Sequence, residues 1–139
     1  MKRLISIAML ALLLCSAGFA QDEAAKKTAA QASAESWLAL VDAGNYAQSW
    51  DEAATSFKAA VTKADWQRML TASRTPFGKL DNRNLGEAQF TTSLPGAPDG
   101  EYVVVRYASG FENKKSAVET IISMLDKDGK WRVSGYFIK

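Results

Sequence analysis

The chain has 139 residues, about one domain's worth, and is 47% hydrophobic, 10% aromatic and 23% charged, which excludes collagen-like, disulfide-dense and disordered classes. Its 17 Lys and Arg stand against 15 Asp and Glu, a formal charge of +2, with one Cys and no His. Without an imidazole it lacks the usual general base and the commonest transition-metal ligand, so most hydrolase and metalloenzyme mechanisms lose their central residue.

Lys2 and Arg3 precede an apolar run from Leu4 to Cys15, and Ser16-Ala17-Gly18-Phe19-Ala20 then sets small residues third-last and last before Gln21. A charged start, a short apolar middle and a small-residue cleavage site make a secretory signal peptide over residues 1–20, cut between Ala20 and Gln21. The expected location is periplasmic or secreted, in a bacterium. The run is shorter than the roughly 20 apolar residues a bilayer-spanning helix needs, so no membrane span is expected. Lipid attachment at Cys15 is disfavoured, because Leu14 stands where a small residue is wanted. Removing residues 1–20 takes away Lys2, Arg3 and Cys15, leaving 119 residues with 15 basic and 15 acidic side chains. A neutral domain with only scattered basic doublets argues against a nucleic-acid partner, and one without Cys has no disulfide or thiolate chemistry.

Residues 21–33 are alanine-rich and read as a frayed lead-in to the first helix; residues 34–139 read as a single α+β domain. Ala30, Ala34, Trp37, Leu38 and Val41 share one helical face, which Gly44-Asn45 ends. Tyr46, Trp50, Ala53, Phe57 and Val61 continue at the same period as a second helix. Thr62 with Asp65 reads as the N-cap of a third, whose face is Trp66, Met69, Leu70 and Ser73 and which Pro76 and Gly78 close.

After Asn82 the period falls to two. Strands are expected over 85–94, 101–111, 116–125 and 131–138, joined by Pro95 to Gly100, by Glu112 to Lys115 and by a two-residue mirror-image turn at Asp128-Gly129. The fold class is thus α+β, three helices packed on a curved four-stranded antiparallel sheet. That turn pairs Met124 with Val133, Ile122 with Gly135 and Thr120 with Phe137 on an apolar face expected to meet the helices. Glu119, Ile121, Leu125, Arg132, Tyr136 and Ile138 then fall on the opposite, half-apolar face, a candidate partner or dimer surface.

The pieces 37–50 (WLALVDAGNYAQSW), 92–102 (TSLPGAPDGEY), 116–120 (SAVET) and 131–138 (WRVSGYFI) together resemble the bacterial domain-of-unknown-function 4019 family, in order and over most of the chain. The resemblance implies a small secreted domain without an established activity. The layout also resembles the nuclear-transport-factor-2-like cone of the cystatin-like class, which licenses no function by itself.

Asp126-Lys127-Asp128-Gly129 begins like a calcium loop but has Lys130 and Trp131 where a ligand and a Gly are needed, so no metal site is expected. No Ser is followed three residues later by Lys, and no phosphate-binding Gly loop occurs. Enzymes of the cone fold set an acid or His in a pocket with a Tyr or second acid. To imitate that the chain has Tyr46, Tyr102, Tyr107, Tyr136, Arg106, Asp42 and Glu119, and Arg106 is expected to pair with Glu119 instead. Trp37, Trp50, Trp66 and Trp131, with Tyr102 and Arg106, are the ligand-pocket candidates, against a core role for the indoles. Two functions stay open. One is a non-enzymatic binding module, without cofactor, for an envelope protein, a small apolar ligand or a second copy through the sheet. The other is an acid–base isomerase or hydro-lyase acting on a small apolar molecule.

Overall fold

The computed structural model describes the backbone from residue 5 and side chains from residue 18, both to residue 139. Lys2, Arg3 and the side chain of Cys15 lie outside the described residues. Helices α1 (Ile5–Asp42), α2 (Tyr46–Asp51), α3 (Thr55–Ala60) and α4 (Lys63–Arg74) and a 3-10 turn (Thr75–Phe77) precede four strands, β1 (Leu80–Thr91), β2 (Tyr102–Phe111), β3 (Lys114–Leu125) and β4 (Trp131–Ile138). The strands form one open antiparallel sheet in the order β1-β2-β3-β4, so β1 and β4 are its edges. This is the α+β layout expected.

Residues 21–33 are a regular part of α1, not a frayed lead-in. Ala30, Ala34, Trp37, Leu38 and Val41 are all buried, packed on Val103, Val105, Tyr107, Ile121 and Val133 of the sheet. Each fully buried aliphatic side chain in this layer contributes about 1.5–3 kcal/mol. Gly44, at φ +78°, ends α1, with the Asn45 amide on the Leu40 carbonyl and the Gly44 amide on that of Val41.

The expected second helix is two helices. Ala54 N–H donates to the Val133 carbonyl at 2.8 Å, and the Thr55 amide and hydroxyl both donate to Asp126 Oδ2 at 3.0 Å. The sheet thus takes backbone donors that a continuous helix would spend on itself. Thr62 caps α4 as read, its Oγ1 accepting from Asp65 N at 3.2 Å. The buried stripe of α4 is Trp66, Leu70 and Arg74, while Met69 is 55% exposed and Ser73 is also outside.

β1 begins at Leu80, five residues before the expected start. The last hairpin differs from expectation too. Asp126 N–H donates to the Lys130 carbonyl at 2.8 Å around the three residues 127–129, with Gly129 at φ +81°. That is a three-residue loop with a left-handed glycine, not a two-residue mirror-image turn. The expected pairs Thr120 with Phe137 and Ile122 with Gly135 stand, but a bulge then shifts the register, so Ser123 faces Val133 and Met124 faces Arg132.

The two faces of the hairpin are the reverse of expectation. Ala117, Glu119, Ile121 and Ser123 are buried beneath the helices, whereas Thr120, Ile122, Met124 and Phe137 lie on the outer face. Apolarity misleads here, because the inner face carries the carboxylate of Glu119 and the outer one an exposed phenyl ring.

Candidate functional site

Glu119 is 0% exposed, and its carboxylate accepts four hydrogen bonds. Arg83 Nε (2.8 Å) and Ser109 Oγ (2.6 Å) reach Oε1, and Arg83 Nη2 (3.1 Å) and the Tyr136 hydroxyl (2.5 Å) reach Oε2. Arg83 is also bidentate to Asp42 at 2.7 and 3.0 Å, and Arg74 Nη2 meets Asp42 at 3.0 Å. Two guanidiniums and two carboxylates therefore form a balanced chain joining α1, α4, β1 and β3. The Arg74 guanidinium lies 4.4 Å over the Phe111 ring, and its Nε and Nη1 have no hydrogen-bond partner among the described residues.

Burial works against the Arg83 charge, but hydrogen bonds and charge from Asp42 and Glu119 outweigh it and hold its pKa above the ordinary value. Burial, then the negative charge of Glu119, pushes the Tyr136 phenol well above the usual tyrosine range. Burial and Glu35 raise Tyr107 to about 12, its hydroxyl lying 3.5 Å from Glu35 Oε1. The expected Arg106–Glu119 pair does not form: Arg106 is on the outer face and pairs with Glu87 at 2.7 Å.

The pocket candidates divide. Trp37 and Trp66 are core, 6.0 Å apart, with Trp37 also edge-on to Tyr136 at 5.4 Å. Their indole N–H groups donate to the Ser49 carbonyl and Ser49 Oγ, and that of Trp50 to the Val61 carbonyl. Tyr102 is buried under the 95–100 loop, its hydroxyl on the Pro98 carbonyl at 2.7 Å. Trp131 is half-buried against the core and also lines an open cleft of about 540 Å³ between α1 and the start of β4.

Among the partner-face candidates, Glu119 and Ile121 are wholly buried, Tyr136 is packed on Trp37, and Leu125 and Ile138 are half-buried. Arg132 is bidentate to Asp128, both bonds 2.7 Å, and reaches Asp126 at 3.2 Å.

Exposed apolar surface instead gathers round Phe137, which is 61% exposed. On its outer side a groove of about 530 Å³ runs between α3, the 94–98 loop, Ile122 and Met124. On its other side a groove of about 590 Å³ separates Met69 and Ala72 of α4 from Tyr136 and Ile138 of β4.

A family model described as "Protein of unknown function (DUF4019)" matches residues 33–136. The chain belongs to this family. The DUF4019 match takes in α1 from Ser33, every later helix and all but the last two residues of β4, so both Phe137 grooves are built mainly from DUF4019 residues. No curated protein and no solved structure matches the chain. Among the described residues no helix is long and apolar enough to cross a membrane, and no group of three or more His, Cys, Asp or Glu is placed to hold a metal ion.

Sequence reasoning missed Arg74, Arg83 and Ser109. Arg74 was open to detection, since it falls four and eight residues after Leu70 and Trp66. Arg83 was hidden by starting β1 too late.

Proposed function

We propose that this protein is an exported, non-enzymatic binding module that takes an extended apolar segment of an envelope protein against the edge of β4. The carrying observation is Phe137, exposed on an edge strand between two apolar grooves. Val118 and Lys139 exchange both ladder hydrogen bonds, at 2.9 and 3.1 Å, so by alternation the N–H and C=O groups of Tyr136 and Ile138 face away from β3. A strand added there would gain main-chain hydrogen bonds and drop alternate side chains into the two grooves. Acid–base catalysis fits less well: Glu119, Asp42 and Tyr136, the groups it would use, are spent on one another and on Arg83. The signal-like residues 1–20 support export.

Selection from a library of displayed heptapeptides tests the binding reading. Strand-forming apolar peptides should be enriched, should protect the Tyr136 and Ile138 amides from hydrogen exchange, and should fail to bind Ile138→Pro and Phe137→Asp. Absence of enrichment, or binding unaffected by both substitutions, would overturn it. Export is tested separately by the mass of the protein recovered from the cell envelope, which should begin at Gln21.

A further inference from the structure

The cleft at Trp131 lies at the other end of β4 from Phe137, about 20 Å away at the rise of a strand. Its inner wall is the α1 face carrying Ser33, Ser36 and Trp37, its outer wall the end of α2 with Asp51 and Glu52, and Lys130, Trp131 and Arg132 complete it. A volume of about 540 Å³ is that of a small-molecule site. Three of the four indole N–H groups are tied to internal acceptors, whereas that of Trp131 and the exposed Ser36 hydroxyl have no protein partner among the described residues and are open to water. Lys130 and Glu52 make no ion pair among the described residues. The cleft thus offers an amphipathic aromatic ring, unspent donors in the indole N–H and Lys130, and carboxylate acceptors.

The geometry points to a saccharide-binding site, with one sugar ring stacked on Trp131. A pyranose has an apolar C–H face and an equatorial rim of hydroxyls that both donate and accept. Its face covers the indole, its hydroxyls donate to Glu52, whose Oε1 also accepts from Gln48 Nε2 at 3.1 Å, and Lys130 and the Trp131 N–H donate back. A charged ligand has a weaker claim. Asp51 already meets Lys63 at 2.6 Å, Arg132 is held by two aspartates, and the remaining charges stand in solvent, where an ion pair contributes little. The proposal does not depend on strand addition at Phe137.

The test follows the Trp131 indole N–H resonance, assigned by its loss in Trp131→Phe, while the whole protein is titrated with the neutral tetrasaccharides chitotetraose, cellotetraose and maltotetraose and with diglycine. The expected result is a saturable shift with at least one tetrasaccharide, a dissociation constant of about 1 mM or tighter, and a weakening of about tenfold in Glu52→Ala and Lys130→Ala, both surface changes that leave the fold intact. Phe137→Asp should bind the sugar as the unaltered protein does. No shift with any tetrasaccharide at about ten times that concentration, a shift only with diglycine, or a shift that Glu52→Ala and Lys130→Ala leave unchanged would overturn the assignment.

Discussion

Glu119 on β3 and Arg83 on β1 meet at 2.8 Å across the intervening strand β2, and Arg83 carries the connection on to Asp42 at the end of α1. Glu119→Ala would strip Arg83 of one carboxylate and leave the Ser109 and Tyr136 hydroxyls without their acceptor. Breaking a buried pair costs about 3–5 kcal/mol, and because Asp42 still holds Arg83 the loss should fall at about 3 kcal/mol. Glu119→Gln keeps one acceptor oxygen, sets an amide NH2 against donors on the other side, and should lose about 1–2 kcal/mol. Urea denaturation followed by circular dichroism measures both. A Glu119→Gln variant as stable as the unaltered protein would show that the charge of the network contributes nothing.

Alkaline pH acts through the same residues. Folded Tyr136 holds its proton above the usual tyrosine value, as does Tyr107, raised to about 12. Their contribution is complete below the unfolded value of about 10 and is lost as pH rises through the folded values. The Tm should therefore fall above about pH 10. Tyr136→Phe should reduce that fall while lowering stability at neutral pH, since Glu119 loses a 2.5 Å donor. An alkaline profile identical in Tyr136→Phe and the unaltered protein would refute this.

At acid pH the sensitive contact is Asp126. The Thr55 backbone amide, ahead of the Lys127 amide, the Thr55 hydroxyl and the charge of Arg132, keeps its carboxyl below the ordinary aspartate value. The sign is the opposite of the tyrosine case: this stabilisation is complete above the unfolded value of about 3.9 and disappears as pH falls through the folded one. Asp126→Ala should cost about 1–2 kcal/mol, as loss of a helix cap does, and should speed hydrogen exchange of the Thr55 amide at the start of α3. Unchanged exchange at Thr55 would mean that α3 holds its first turn without the hairpin.

What the sequence disclosed was local. The buried face of α1, its glycine stop, the Thr62 cap and the β2 and β4 bounds follow from period, propensity and turn chemistry acting over a few residues. What escaped was set by distant partners. The break between α2 and α3 depends on Asp126, 71 residues from Thr55. Which face of β3 lies inside depends on Arg83, which makes it favourable to bury Glu119 and leave Phe137 out. Of the candidate site residues, Trp131 was legible only as one of four indoles; what sets it apart, an N–H without a partner among the described residues, follows only from seeing where the other three donate.

The reversed hairpin faces make a sharp comparison between Ile121 and Phe137, two apolar residues of neighbouring strands on opposite sides of the sheet. Ile121 is 0% exposed and packed under α1, so Ile121→Asp buries a carboxylate without a partner. That change should cost more than about 4 kcal/mol, enough to unfold much of a domain whose total stability is about 5–15 kcal/mol. Phe137→Asp places the same charge in solvent on the outer face and should move stability by about 0.5 kcal/mol or less. Thermal unfolding of the two variants side by side decides the matter, since a sheet oriented as its apolar pattern alone implies would reverse their order.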